Sequence, residues 1–124
     1  MNILIVGCGK VGSQLSNVLS RMGHDVAVID QNPAHFSSLA DDFSGYNVTG
    51  VPIDQDVLRR GGIENCDALA AVTDDDNMNV MVCQLASEIF KVPRVLARVY
   101  DPRRGNVFSH FGLHTVCPTN ISVD

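Results

Sequence analysis

Short apolar runs alternate along the chain with stretches whose apolar residues recur at helical spacing. The runs lie at Ile3–Val6, Val26–Ile29, Tyr46–Thr49, Ala68–Val72 and Val95–Val99, with a weaker sixth near Thr115–Cys117. Nearly continuous apolar character over about four to six positions is typical of strands that a parallel sheet buries on both faces. The pattern therefore predicts a series of strands separated by helices.

Helical periodicity fills the first two intervals. The first helix is predicted to end at Gly23. One of its faces is predicted to be apolar and to consist of Val11, Leu15, Val18, Leu19 and Met22. A second helix is predicted to begin after Asn32 as its cap, with Pro33 in the first position, and to run toward Phe43.

The later crossovers differ in length. The third, near Gln55–Gly61, is short. The fourth helix is the longest, with Pro93 just beyond its end, and its apolar residues are Met78, Met81, Val82, Leu85 and Ile89. We interpret Met78 and Met81 as core residues.

Strands that alternate with helices form βαβ units with right-handed crossovers. We therefore predict an α/β fold, a doubly wound parallel sheet of the Rossmann type, as one domain over residues 1–124. The strand order 3-2-1-4-5-6 is expected, because it opens a ligand crevice at the carboxyl ends of the first and fourth strands.

A glycine-rich turn, Gly7-Cys8-Gly9-Lys10-Val11-Gly12, joins the first strand to the first helix. Such a turn directs unpaired helix N–H groups and the positive end of the helix dipole at an anion. In this interpretation Gly7 permits the tight turn, Gly9 lets the backbone approach a pyrophosphate, and Gly12 lets the helix lie close to the strand. The motif alone is weak evidence of a nucleotide site.

Asp30 strengthens that interpretation. It ends the second apolar run, about 20 residues beyond the glycine turn, where a carboxylate can accept hydrogen bonds from both ribose hydroxyls. The alternative is a turn residue at a strand end, which Gln31-Asn32-Pro33 also favours. Because Asp30 would repel a 2′-phosphate and no Arg or Lys occupies positions 31 or 32, NADP is disfavoured.

The segment after the fourth strand, Thr73-Asp74-Asp75-Asp76-Asn77, faces the glycine turn across the predicted crevice. Thr73 or Asp74 is expected to cap the following helix, and the Thr73 hydroxyl and nearby backbone N–H groups could contact a ligand. The carboxylates would repel a pyrophosphate, so Lys10 and Arg98 are the candidate cations that offset them. For Arg98, a salt bridge at the edge of the sheet is an equal alternative.

Charge and composition narrow the class of partner. The net charge of −5 disfavours nucleic acids, and the apolar runs are too short to span a bilayer, so we expect a cytoplasmic protein. The four cysteines, Cys8, Cys66, Cys83 and Cys117, form no C-x-x-C pair and are predicted to be reduced, and three of them lie in or beside apolar runs that look like core. Cys8, at a helix N-terminus, is either a small residue filling the turn or the most oxidisable thiol.

No catalytic motif is present. His24 and His35 are expected away from the crevice, and the spacing of His110 and His114 would suit a metal only on a helix that Gly112 opposes. We therefore predict no catalytic residue and no metal site. Val107, Phe108 and Phe111 are candidates for an interface, with packing on the sheet as the alternative.

The glycine turn, Asp30, the segment Asp67–Asn77 and Leu96–Val99 together resemble the nucleotide-binding N-terminal domain of Trk-type potassium-uptake regulators, also called the RCK or KTN domain. The resemblance implies a cytoplasmic homo-oligomeric ring that binds NAD or NADH, or alternatively ADP or ATP, and gates a potassium-conducting membrane subunit. The nucleotide-binding residues predicted are Gly7, Cys8, Gly9, Lys10, Val11, Gly12, Asp30, Thr73, Asp74 and Arg98.

The chain also departs from that family. Lys10 stands where the family often has Arg, and Gly50-Val51 replaces the usual Gly-Asp pair, so an adenine contact from this loop is in doubt. An NAD-dependent oxidoreductase that has lost its substrate domain is the alternative function, because dehydrogenases use the same turn and acidic residue. Consumption of NADH would distinguish the two.

Overall fold

A computed structural model of the protein describes residues 1–100 and the backbone of residues 114–116. The strands are β1 (Asn2–Val6), β2 (Asp25–Asp30), β3 (Tyr46–Thr49), β4 (Ala68–Ala71), β5 (Arg94–Arg98) and β6 (His114–Val116). They form one six-stranded sheet in the order β3-β2-β1-β4-β5-β6, and every neighbouring pair is parallel. The doubly wound fold and its strand order are therefore confirmed.

Both faces of the sheet are covered, which explains why the strands are almost entirely apolar. Along β1, Ile3 and Ile5 belong to one buried cluster, and Leu4 and Val6 belong to the other. Helix α1 (Lys10–Arg21) and a 3₁₀ helix (Pro33–Ser38) cover the first face. Helices α2 (Gln55–Arg60) and α3 (Asp76–Glu88) contribute to the second.

Helix α1 lies on the sheet through small residues. Gly12, Ser13 and Ser16 are its buried positions, whereas Val18 and Met22 are 50% and 66% exposed. The predicted apolar face was therefore wrong at those two positions. A helix that approaches the sheet this closely has room only for small side chains beneath it, so its larger residues lie at the flanks.

The second predicted helix is only the 3₁₀ helix and ends well before Phe43. Its start was predicted correctly, because the Asn32 side chain accepts a hydrogen bond from Ala34 N–H. Its early end is a tertiary effect. The Asn17 amide on α1 donates to the Ser38 carbonyl and accepts from Ala40 N–H, groups that a longer helix would need for itself.

Helix α3 buries only part of the predicted apolar face: Val82 is buried and Leu85 packs on the core. Met81 and Ile89 are 43% and 55% exposed, so the interpretation of Met81 as a core residue was wrong. Met78 is half-buried and packs on the core. The residues that α3 buries are Asp76, Asn79, Val80, Val82, Cys83 and Ala86. A polar residue, Asn79, therefore occupies a central position against the sheet.

Candidate functional site

The glycine turn has the backbone geometry that a phosphate-binding turn requires. Gly7 has a φ of +105°, and a Cβ there would lie 2.9 Å from Thr73 N. A Cβ on Gly12 would collide with the Gly7 carbonyl oxygen, whereas a Cβ on Gly9 would meet nothing within 4 Å. The roles of Gly7 in the turn and of Gly12 in close packing are confirmed. The space beside Gly9 is open, so a ligand could approach the backbone there.

The N-terminus of α1 has no side-chain cap and no acidic residue in its first turn. The other helices within residues 1–100 are each capped by a side chain: Asn32 for the 3₁₀ helix, Asp54 for α2 and Asp75 for α3. The first N–H groups of α1 therefore keep the positive potential that an anion can neutralise.

Asp30 lies beside this N-terminus and is only 7% exposed. Its Oδ2 accepts from Cys8 N–H at 2.8 Å and from His35 Nδ1 at 3.0 Å, and its Oδ1 accepts from Asn32 N–H at 2.8 Å. The interpretation of Asp30 as a turn residue at the strand end is therefore confirmed, and its contact with a ribose stays a prediction. The carboxylate holds the turn, and one acceptor position on Oδ1 remains for a ligand.

These contacts keep Asp30 ionised. Burial would raise the pKa of Asp30, but the hydrogen bonds from Asn32 N–H, Cys8 N–H and the His35 ring together outweigh it, so the pKa lies below its ordinary value. Asp30 is therefore a carboxylate acceptor at neutral pH, which a ribose hydroxyl requires.

His35 was expected away from the crevice, and the structure places it in the crevice wall beside Asp30. The 3₁₀ helix turns back directly after β2 and so carries His35 over the end of the strand. The sequence held one signal for this arrangement: the Asn32-Pro33 cap, which forces a tight turn just beyond Asp30. That signal predicts a turn and the start of a helix but not the contact of His35 with Asp30.

Opposite the glycine turn, Thr73 is held by the buried Asn79. Asn79 Oδ1 accepts from Thr73 N–H at 2.9 Å and from the Thr73 hydroxyl at 2.6 Å, and its Nδ2 donates to the Thr73 carbonyl at 3.0 Å and to the Arg98 carbonyl at 2.8 Å. The expectation that Thr73 or Asp74 caps α3 was wrong. Asp75 caps it, because its carboxylate reaches Asn77 N–H and Met78 N–H.

Arg98 is almost fully buried, with 9% exposure. Its Nη1 donates to the Val72 carbonyl, its guanidinium lies 3.9 Å from the Tyr100 ring centroid, and its Nη2 is 4.0 Å from Asp74 Oδ1. Its buried Nε has no hydrogen-bond partner among residues 1–100. The salt bridge considered from the sequence is therefore present but long, and within the described residues the Nε donor is unsatisfied.

These residues surround a cavity of about 330 Å³, within the range of about 300–1,000 Å³ for ligand pockets. Its lining residues are Gly7, Gly9, Asp30, Gln31, Asn32, His35, Pro52, Val72, Thr73, Asp74, Asp75 and Met78. Five predicted residues lie next to this lining. The glycine turn and helix α1 connect Cys8, Lys10, Val11 and Gly12 to it, and the contact with Asp74 connects Arg98. Sequence reasoning missed the contribution of His35, Pro52 and Met78 to the wall.

Cys8 is not a reactive thiol. It is fully buried, and burial raises the pKa of its thiol to about 11, with the Asp30 carboxylate adding to the increase. The expected lowering by the helix N-terminus is therefore wrong, because desolvation and a nearby negative charge both disfavour the thiolate. Cys66 and Cys83 are likewise free and buried.

Some predictions concern residues outside the described ranges: Val107, Phe108, His110, Phe111 and Cys117, together with the side chain of His114. In residues 1–100 and 114–116, no cluster of His, Cys, Asp and Glu could hold a metal ion. Within the same ranges, no helix combines the length and apolar character needed to cross a bilayer.

The cavity suits a ribose linked to a pyrophosphate in three observed respects. The uncapped α1 N-terminus suits a pyrophosphate, and the space beside Gly9 lets it approach the backbone. The ionised Asp30 suits a ribose hydroxyl.

A family model described as the TrkA-N domain matches residues 3–119. The chain is 47% identical to the Trk system potassium uptake protein TrkA of Streptomyces coelicolor over 124 residues, which are 100% of this chain and 56% of that protein. It is 34% identical to a TrkA homolog of Pyrococcus abyssi over 108 residues, 87% of this chain and 48% of that protein. The chain thus spans about half the length of these relatives.

Solved structures share the fold at lower identity. The Kef CTD of Shewanella denitrificans in its AMP-bound form has a TM-score of 0.85 at 20% identity, over 99% of this chain and 75% of that chain. The TrkA-N domain of the Escherichia coli inner membrane protein ybaL reaches 0.87 at 17%, over 98% and 90%. The GsuK channel bound to NAD reaches 0.75 at 22%, over 93% and 21%. At these identities the likeness concerns the fold alone.

Proposed function

The chain belongs to the TrkA-N domain family, and from that premise we propose that it is a regulatory domain that binds NAD or NADH, with ADP or ATP as the alternative ligand. The observation that carries this proposal is the uncapped N-terminus of α1, which adjoins the same cavity as the ionised carboxylate of Asp30. A nucleotide diphosphate linked to a ribose presents both matching groups.

Different residues of the cavity would bind different parts of the nucleotide. The N–H groups of Gly9, Lys10 and Val11 would hold the pyrophosphate, and Lys10, exposed at the start of α1, would add a positive charge. Asp30 would accept a ribose hydroxyl and repel a 2′-phosphate, which favours NAD over NADP. The AMP and NAD in the names of two structural relatives support an adenine nucleotide.

On the second wall, Thr73 and Asp74 would position the ligand, and Arg98 would compensate charge from behind Asp74. The Thr73 hydroxyl donates to Asn79 Oδ1 and accepts from Asp75 N–H, so one acceptor position of its oxygen is left for a ligand hydroxyl. The buried Arg98 guanidinium lies close enough to Asp74 to reduce that carboxylate's repulsion of a phosphate.

We further propose that the domain senses its nucleotide without converting it and acts on a potassium-conducting membrane partner from the cytoplasm, as a homo-oligomer. The relatives' names, Trk system potassium uptake proteins, support the link to potassium transport. A nucleotide can bias such a partner only by binding one arrangement of the assembly more tightly than another.

The test is a thermal-shift panel with NAD, NADH, ADP, ATP and NADP. Stabilisation that grows with ligand concentration for NAD or NADH, and is weaker for NADP, is expected. Asp30→Ala should weaken NAD binding by about 1.5–3 kcal/mol, since a hydrogen bond to a charged group is lost.

Asp42→Ala is the matched control, because this exposed carboxylate pairs with Arg21 and does not line the cavity. No shift with any nucleotide, or equal shifts with NAD and NADP, would contradict the proposed site. Consumption of NADH together with a 2-oxo acid would instead support the oxidoreductase alternative.

A further inference from the structure

His35 occupies part of the acceptor that a ribose would use. An ionised carboxylate offers about four acceptor positions. In Asp30, Cys8 N–H and His35 Nδ1 fill those of Oδ2, and Asn32 N–H fills one of Oδ1. One acceptor position of the Asp30 carboxylate therefore remains, whereas the two neighbouring hydroxyls of a ribose would donate to two acceptor positions. Of the three donors, the backbone N–H groups are fixed by the turn and the strand end, so the His35 ring is the one that can leave.

The His35 ring is also accessible enough to move. Its side chain is 47% exposed, against 10% for Asp30, and it lies on a single short 3₁₀ helix. The ring lines the cavity, so rotation away from Asp30 does not require the core to open. A half-exposed side chain of this kind changes rotamer readily.

The hydrogen bonds around the ring identify its neutral form. Because a carboxylate only accepts, Nδ1 donates to Asp30. Asn32 Oδ1 accepts from Ala34 N–H, so the Asn32 amide nitrogen is the atom that faces His35 Nε2 at 3.4 Å. Nε2 therefore accepts in the neutral ring. Protonation would lose this weak, exposed contact and would turn the contact with the buried Asp30 into an ion pair.

We propose that His35 is a proton-sensitive gate on the ribose acceptor: a ribose-bearing nucleotide displaces the imidazole from Asp30, and protonation of the imidazole holds the gate closed. The proposal deepens the proposed function and rests on it. It makes nucleotide affinity fall as the pH decreases, with proton release on binding near the midpoint of the change.

Other charged groups around the pair do not account for such a change. Cys8, from the glycine turn, has a pKa of about 11 and stays protonated between pH values of about 5 and 8. Asp74 and Asp75 face the pair across the cavity, and Asp75 is engaged as the cap of α3. Lys10 begins α1 on the other side of the turn. Carboxylates and a lysine ordinarily titrate outside this window.

The test is calorimetric titration with NAD at about pH 8 and about pH 5.5 at constant ionic strength. NAD is the probe because each of its two phosphates carries one ester and one anhydride bond, so it lacks the terminal phosphate of AMP or ADP, which titrates near pH 6. The dissociation constant of the unaltered protein is expected to rise about fivefold at the lower pH, since protonation adds the attraction of a partly exposed ion pair to the hydrogen bond that the ribose must displace.

His35→Asn keeps a donor toward Asp30 but cannot titrate, so its affinity should be the same at both pH values. His24→Asn is the matched control, because His24 contacts the N-terminal amine and does not line the cavity. This variant should retain the full pH dependence. An unchanged affinity in the unaltered protein, or a pH dependence that survives in His35→Asn, would overturn the gate while leaving the nucleotide site intact.

A second measurement needs no variant. Near pH 6.5, titrations in buffers of different ionisation enthalpy should show release of a fraction of a proton as NAD binds. Uptake, or no exchange, would overturn the gate. Absence of NAD binding at about pH 8 would remove the proposed function and this inference with it.

Discussion

Two helix N-termini face each other across the cavity, and they differ in how their N–H groups are satisfied. Helix α3 is satisfied from within the protein, because Asp75 accepts from its first N–H groups and Asp76 begins its first turn. The cap position of α1 is Gly9, so this helix has no side-chain cap, and its first turn contains no acidic residue. Both N-termini follow a strand, β1 or β4, but only that of α3 is capped by a side chain.

The difference indicates how the two walls act. The N-terminus of α1, the open end, can accept an anion from outside the protein. At the N-terminus of α3, the closed end, the Asp75 carboxylate already accepts from the first N–H groups. The two are in contact, because Gly7 lies so close to Thr73 that no Cβ fits between them. The buried Asn79 fixes Thr73 and thereby the position of the glycine turn. The wall around Thr73 therefore positions the glycine turn, on which the proposed phosphate site depends.

Gly12→Ala should have the largest effect, because its Cβ would collide with the Gly7 carbonyl oxygen at the open end. We expect a loss of about 3 kcal/mol in the free energy of unfolding, measured by urea denaturation. Gly9→Ala is the control, since its Cβ meets nothing within 4 Å. It should change stability by less than about 0.5 kcal/mol and yet weaken NAD binding. Equal losses of stability in both variants would contradict this assignment.

Asn79→Ala should come next, because it removes the hydrogen bonds to the half-buried Thr73 N–H and to the buried Arg98 carbonyl. The expected loss is about 2 kcal/mol in the same denaturation experiment. Glu88→Ala, at an exposed position of α3, should lose less than about 0.5 kcal/mol. If Asn79→Ala were as stable as Glu88→Ala, the closed end would not depend on this network.

Asp75→Ala removes the cap of α3 and should destabilise the protein by about 1 kcal/mol. Its neighbour Asp74 provides the comparison, with a side chain that is 98% exposed and only a 4.0 Å contact to Arg98. Asp74→Ala should change stability little, because an exposed ion pair of this length contributes less than about 0.5 kcal/mol. A larger loss in Asp74→Ala than in Asp75→Ala would mean that the cap has been assigned to the wrong residue.

Asp30 should show the smallest of these effects, a loss of stability as the pH falls into the acid range. Its folded pKa lies below the ordinary 3.8, so the stability it adds is present above that value and is lost as the pH falls through the folded pKa. Urea denaturation at about pH 5 and about pH 3 should show a smaller decrease for Asp30→Asn than for the unaltered protein. Asp42→Asn should behave nearly as the unaltered protein, because Asp42 is exposed and screened. Identical decreases in the two variants would contradict the role of Asp30.

The sheet and its order could be predicted because the information is local. Each strand is a continuous apolar run, and short crossovers leave few topologies. The positions of Val18, Met22 and Met81 could not, because periodicity marks an apolar face without stating how closely the helix approaches the sheet. The early end of the 3₁₀ helix likewise depends on Asn17, from another helix.

The glycine turn and Asp30 were recognisable in the chain because their spacing follows from one strand, one turn and one helix in succession. The roles of His35 and Asn79 were not, because each depends on groups brought together by folding from separate elements. A hydrogen bond between Asn79 and Thr73, or between His35 and Asp30, depends on atoms within about 3 Å, and residue order alone does not specify such distances.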